Sequence, residues 1–143
     1  MNKKILIVSG DPNSINSEII YKTWNKLNFK VKKKIYLIAN FKLIRKQFKK
    51  IKSKVRVIKV KSINENASTS FLKIIDIPLK FKNPFKVSLK NSTKYIIECF
   101  NLAHKLAQNS EVKGLINCPI DKRLLNKSKK IGVTEFLASK CKI

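Results

Sequence analysis

Residues 4–20 read KILIVSGDPNSINSEII, and the fold turns on how this stretch is read. The apolar run at 4–9 does not alternate, which is the pattern of a strand covered on both faces in a parallel sheet. Gly10-Asp11-Pro12 then stops it: Gly relaxes the backbone, Asp bonds nearby N–H groups, and Pro presets the next φ. A helix is expected from about Ser17. Ser14 or Asn16 is its N-cap, Glu18 lies in its first turn, and Ile19, Ile20, Trp24 and Leu27 line its inner face. A strand that delivers a loop onto a helix N-terminus is where α/β proteins hold anions, because unpaired N–H groups and the helix dipole both point there. A plain turn needs only the Gly and the Pro. The stretch alone fits both.

Working outward, KIYLIA (34–39) is a second buried strand. Residues 41–51 make a basic amphipathic helix with Phe41, Ile44, Phe48 and Ile51 inward, and VRVIKV (55–60) alternates as a third strand. Residues 61–88 are irregular, hold Pro78 and Pro84, and contain a short strand near Ile74–Ile77. A long helix spans about 89–108, with Leu89, Thr93, Ile96, Ile97, Phe100, Ala103 and Ala107 on one stripe. GLINC (114–118) is another compact strand, stopped by Pro119, and short helices follow around 121–127 and 133–140. Strands alternating with helices at this spacing give a parallel sheet with right-handed crossovers, so the fold class is α/β. The strands at 4–9 and 114–118 belong inside that sheet, with the Gly10 and Pro119 loops at one edge of it.

The composition excludes several classes. At 143 residues and 43% apolar the chain makes one domain with a modest core. No stretch approaches the ~18 apolar residues of a membrane span. The N-terminal apolar run, closed by Asp11, is too short for a secretory signal, so a cytoplasmic protein without a membrane partner is expected. Cys99, Cys118 and Cys141 read as reduced thiols, and a single histidine leaves a Cys/His metal site without ligands. The net charge of +25 ordinarily suggests nucleic acid. Yet only Arg45, Arg56 and Arg123 are arginines, and arginine is the residue that grips phosphate and guanine in bidentate fashion. The excess of Lys, Asn and Ile has the look of A/T-rich coding. Lysines fall on every element and Phe41, Phe48 and Phe100 on apolar stripes, so a distributed charge is expected and nucleic acid is the less expected partner.

Ligands of parallel sheets collect at the carboxyl ends of the strands. Three segments bring unusual residues there: Gly10-Asp11-Pro12, then Asn117-Cys118-Pro119-Ile120-Asp121-Lys122, then Gly132-Val133-Thr134-Glu135 at the start of the last helix. Each alone also reads as a turn, a strand stop or a helix cap. Neither GxGxxG nor GxxxxGK[ST] occurs, and His104 reads as a packed residue at a helix's apolar edge.

In this order the segments resemble those of the 4-hydroxythreonine-4-phosphate dehydrogenase family. Gly10, Asp11, Pro12, Ile15, Glu18 and Ile19 match its opening motif. Pro119, Ile120 and Lys122 match the second, and Gly132, Thr134, Glu135 and Phe136 the third. The resemblance implies a fold similar to the isocitrate and isopropylmalate dehydrogenases, a homodimer, NAD and a divalent metal. It also implies oxidation and decarboxylation of a phosphorylated hydroxy amino acid, 4-phosphohydroxy-L-threonine, in pyridoxal phosphate biosynthesis. Thr134 then contacts substrate, with Val133 at the position of a family histidine. Gly10, Asp11, Pro12, Glu18, Pro119, Lys122 and Glu135 belong to the cleft framework. Ser14 and Asn16 stand where the family's opening loop has glycines. The family's metal-binding histidines and phosphate-holding basic residues lie in its C-terminal portion. This chain is therefore expected to be the N-terminal portion of a longer enzyme, an incomplete dehydrogenase-like fold without metal ligands of its own and inactive alone. The alternatives are a small basic nucleic-acid-binding protein and a non-catalytic relative on the same scaffold.

Overall fold

The computed structural model describes residues 3–121. Its strands are β1 (Lys4–Val8), β2 (Ile35–Ala39), β3 (Arg56–Val60), β4 (Phe71–Asp76) and β5 (Val112–Asn117). Its helices are α1 (Asn16–Lys26), α2 (Phe29–Lys32), α3 (Phe41–Lys50) and α4 (Leu89–Ala107). The strands pair in parallel throughout, in the order β3-β4-β2-β1-β5. The α/β parallel sheet is as expected. The helices expected at 121–127 and 133–140 lie outside the described residues.

β2 is the middle strand, and all five of its residues are buried. Alternation sorts them onto two faces. Tyr36 and Ile38 join Leu6 and Val8 of β1 beneath Tyr95, Ile96 and Phe100 of α4. Ile35, Leu37 and Ala39 face the other way, against Ile20 and Trp24 of α1 and Ile44 and Phe48 of α3. The sheet is thus a middle layer between α4 and the α1/α3 pair. Burying a side chain such as Trp24 or Phe100 there contributes about 2–3 kcal/mol.

Several elements differ from their sequence reading for physical reasons. β5 is an edge strand among the described residues rather than an interior one, and Ile116 is 55% exposed. Its unbroken apolar run calls for cover that the described residues do not supply. β1 is fully buried only at Leu6 and Val8, because Ile5 and Ile7 lie on the face beside that bare edge. α1 starts at Asn16 behind Ile15, which gives no side-chain cap, so neither Ser14 nor Asn16 takes that role. Ser14 Oγ instead donates to the Asp11 carbonyl at 2.7 Å and accepts the Asn16 N–H at 3.2 Å. Ile19 points outward, 40% exposed, and Leu27 ends the helix as its C-cap.

The buried stripes of the longer helices are rotated from the expected ones. On α3 it runs through Leu43, Ile44, Gln47 and Phe48, leaving Phe41 and Ile51 half-buried. On α4 it gains Ser92, Tyr95 and Cys99 while Leu89 and Ala107 are exposed. Among the described residues α4 is the one helix on its side of the sheet, and it buries a wide face. The single-turn α2 went unforeseen; Asn28 caps it by accepting the Val31 N–H at 3.0 Å. No described helix is long and apolar enough to cross a membrane.

Candidate functional site

β1 and β5 end side by side, with Val8 opposite Asn117. Pairing runs one residue further, the Cys118 N–H donating to the Val8 carbonyl at 2.9 Å. Beyond it the two loops touch. Asn16 Nδ2 donates to the Pro119 carbonyl at 2.6 Å, and the Asp11 N–H reaches the same oxygen at 3.5 Å. Gly10 sits between them at φ +78°, in the left-handed region. A Cβ there would come within 2.6 Å of Asn16 Nδ2, 2.8 Å of the Pro119 oxygen and 2.9 Å of the Cys118 oxygen. Only glycine allows both that φ and that approach.

The rest of the opening loop is tied just as closely. Asp11 Oδ1 accepts the Asn13 N–H at 2.8 Å, a turn closed by its own side chain. The Asn13 side chain pairs with Val87 twice, donating to its carbonyl and accepting its N–H, both at 2.7 Å. Buried Gln47 donates to the Pro12 carbonyl at 2.8 Å and to the Pro84 carbonyl at 2.7 Å. Gly10-Asp11-Pro12 is therefore a braced turn in which the Asp11 N–H, Asp11 Oδ1 and the Asp11 and Pro12 carbonyls are bonded within the protein. Glu18 faces solvent and pairs with Lys22 at 2.7 Å, an exposed i,i+4 contact screened by water.

A second set of bonds joins the ends of β1, β2 and β4. The fully buried Tyr95 hydroxyl accepts the Asn40 N–H at 2.8 Å and shares a hydrogen with Ser9 Oγ at 3.0 Å. Asn40 accepts the Leu43 N–H at 2.9 Å, capping α3, and donates to the Ile77 carbonyl at 2.8 Å. Burial pushes ionisation of Tyr95 and of neighbouring Cys99 strongly upward, and that of the Cys118 thiol up to about 11. These groups stay neutral at physiological pH. They are struts rather than acids or bases.

Asn16 Oδ1 and Ser17 Oγ, in the first turn of α1, are buried without a partner among the described residues. An uncapped first turn favours an anion, but Asn16 Oδ1 can only accept and Glu18 adds negative charge beside it. That turn is not a ready-made phosphate site. Among the described residues no three His, Cys, Asp or Glu side chains gather in a way that would hold a metal ion. His104 lies half-buried on α4. Among the described residues the donor set therefore does not fit a divalent metal.

Of the residues predicted from sequence, Gly10, Asp11, Pro12 and Pro119 come together, and Glu18 lies one turn into α1. Lys122, Val133, Thr134 and Glu135 lie outside the described residues. Asn13, Asn40, Gln47 and Tyr95 were missed. Asn40, set between a buried strand and an amphipathic helix, had a visible capping signal. Gln47, a lone amide on an apolar helix face, was a second legible one.

The sequence matches the family described as pyridoxal phosphate biosynthetic protein PdxA over residues 30–143. The chain belongs to the PdxA family. It is similar, at 30% identity over 141 residues, to the 4-hydroxythreonine-4-phosphate dehydrogenase of Sulfurihydrogenibium sp. (strain YO3AOP1), an alignment covering 94% of this chain and 42% of that protein. In fold it is similar to the 4-hydroxythreonine-4-phosphate dehydrogenases of Burkholderia phymatum and Klebsiella pneumoniae. The first aligns with TM-score 0.84 and 20% identity, over 96% of this chain and 43% of that one. The second aligns with TM-score 0.83 and 22% identity, over 97% and 44%. The chain thus spans less than half the length of these PdxA relatives, and the five-stranded parallel sheet is the part of the fold it shares with them.

Proposed function

We propose that this chain supplies the N-terminal α/β portion of a 4-hydroxythreonine-4-phosphate dehydrogenase, a cytoplasmic homodimer that oxidises and decarboxylates 4-phosphohydroxy-L-threonine with NAD and a divalent metal. The family match over residues 30–143 carries this reading. The three motifs in family order, Gly10–Ile19, Pro119–Lys122 and Gly132–Phe136, support it. The braced contact between the Gly10 and Pro119 loops suits a cleft wall, because it fixes two adjacent strand ends without using an exposed side chain.

In the whole enzyme NAD would supply a hydride acceptor and a divalent metal would supply Lewis-acid stabilisation, both held outside the described residues. The work of this chain is positional. Gly10 lets the β1 loop lie against the β5 loop, Asn16 and Gln47 hold that loop in place, and Thr134 gives a hydroxyl to the substrate beside Val133. The sequence holds one histidine, and no three His, Cys, Asp or Glu side chains gather among the described residues, so on this reading the metal is held by the remainder of the enzyme.

The test is NADH formation with 4-phosphohydroxy-L-threonine and a divalent metal. One sample is the purified chain. The other is the chain joined to the portion of the Sulfurihydrogenibium enzyme beyond the aligned region. No turnover from the first and clear turnover from the second are expected. A folded fusion without turnover would favour the non-catalytic relative, and turnover by the chain alone would overturn its positional role.

A further inference from the structure

Between Glu18 and Glu65 the sequence carries sixteen lysines and arginines and no acidic residue. The fold gathers many of these around the outer face of α3. Lys42, Arg45, Lys46 and Lys49 line one hollow there. A second continues from Lys46 and Lys49 to Lys82 and Pro84. A third continues from Arg45 and Lys49 to Arg56 on the edge strand β3 and Phe71 beside it on β4. The three share residues and so form a continuous basic strip across the helix. Two of the chain's three arginines lie on it.

Aromatic rings are set into this strip. The Arg45 guanidinium lies 5.5 Å from the centre of the Phe41 ring, that of Arg56 lies 4.9 Å from Phe71, and Lys46 Nζ lies 5.5 Å from Phe81. All three rings are half-buried rather than sunk in the core. The sequence suggested basic residues spread evenly and aromatics hidden on apolar stripes. In the fold, part of each set is interleaved on one face. The acidic group beside the strip, Asp76, is engaged: it accepts the Phe41 N–H at 2.8 Å and sits 3.9 Å from Lys59.

We propose that the outer face of α3, with the adjoining edge of β3, is a binding surface for single-stranded nucleic acid. Three hollows adjoining at Lys49 offer several places for phosphates, which suits a polyanion better than one small anion. Lysines track a backbone of phosphates, while guanidinium planes and half-exposed rings offer stacking faces that unpaired bases use and a duplex does not present. A lipid surface is the poorer match, since the large exposed apolar residues (Ile15, Ile19, Phe29, Leu89 and Ile116) all lie off this strip. The surface is independent of the dehydrogenase reading and stands or falls without it.

The test is titration of the purified chain with fluorescein-labelled oligouridylate of fifteen nucleotides at a series of salt concentrations. A parallel titration uses a duplex of equal length. The expected result is tighter binding to the single strand, with log affinity falling linearly against log salt. Arg45→Glu with Arg56→Glu lowers affinity about tenfold or more. The charge-matched control Lys105→Glu with Lys113→Glu, on exposed positions of α4 and β5 away from the strip, lowers it less than about threefold. Phe71→Leu keeps the packing apolar and removes the ring, and weakens binding at unchanged salt slope if bases stack there. Circular dichroism confirms that each variant is folded. Equal losses from the two charge pairs would overturn the proposal, leaving only a uniformly basic surface. Equal or tighter binding of the duplex would likewise overturn it.

Discussion

At the scale of single residues, Gly10 and Lys73 carry the clearest consequences. Gly10→Ala puts a Cβ at φ +78° against two backbone oxygens and an amide that already bonds one of them. The left-handed conformation alone costs an alanine about 1–2 kcal/mol, and the backbone oxygens have no easy retreat. A loss of about 2 kcal/mol or more by urea denaturation is expected. A change below a few tenths would mean that the β1 and β5 loops are not held together. Lys73 lies on β4, 3% exposed, its ammonium donating to the Lys33 carbonyl at 2.7 Å and resting 3.9 Å from the centre of the Tyr36 ring. Burial, and then the nearby charge of Lys4, lower its pKa to about 8 from 10.5. Between those two values the unfolded chain binds the proton that the folded chain has released, so the folded state gains stability as pH rises through that window. Below about 8 both states are protonated and the burial penalty stands in full. Relative to Lys73→Met, the unmodified chain should therefore gain on the order of 2 kcal/mol between pH 7.5 and 10.5 in parallel denaturation curves. A flat difference would show that the ammonium is solvated.

At the scale of elements, α3 shows how a composition bias is absorbed locally. The helix ends in a Schellman turn: the Ser53 N–H returns to the Phe48 carbonyl at 2.9 Å and the Lys52 N–H to the Lys49 carbonyl at 3.2 Å. The residue that must turn left-handed there is Lys52, at φ 60°, in a chain with three glycines. Lys52→Gly should stabilise the protein by about 0.5–1 kcal/mol, read as a higher denaturation midpoint at unchanged slope. A loss of stability would place some packing role on the exposed lysine stem. The same helix shows what the sequence made legible. Its existence, its basic outer face and the burial of Ile44 and Phe48 follow from spacing alone. The exact inward face does not, because Leu43 and Gln47 are drawn in by contacts made elsewhere in the chain: Leu43 packs in the cluster beneath α4, and Gln47 holds the carbonyls of Pro12 and Pro84. β5 failed for the complementary reason. Its apolar run reports that it is to be covered, and a local pattern does not say by what. Tyr95 was invisible as a strut because a tyrosine on a helix's apolar stripe looks like packing until Ser9 and Asn40, just past the ends of β1 and β2, arrive at its hydroxyl from 86 and 55 residues away in sequence.

At the scale of the whole molecule, the parallel sheet, its crossovers and the meeting of the first and last loops are what the family relationship and the strand patterns both led to. On the proposed reading, the substrate contact of this chain comes from residues beyond Asp121. Its sharpest test is Thr134, whose role comes from the motif Gly132-Val133-Thr134-Glu135-Phe136 matched to the family's helix start. A hydroxyl bonding a charged substrate contributes ~1.5–3 kcal/mol. In the active fusion described above, Thr134→Val should lower kcat/KM by about ten- to a hundredfold. Val is close to Thr in shape but lacks the hydroxyl, so the fold should tolerate it, and an unchanged denaturation midpoint would separate lost contact from lost structure. Val133→His restores the residue that the family carries beside that threonine, and it should raise kcat/KM if the histidine's polar contact is what this chain has lost. The two changes probe adjacent residues, so their effects need not add, and the double variant measures the coupling between them. An unchanged kcat/KM in Thr134→Val would detach this motif from the substrate and leave the family resemblance there a matter of fold alone.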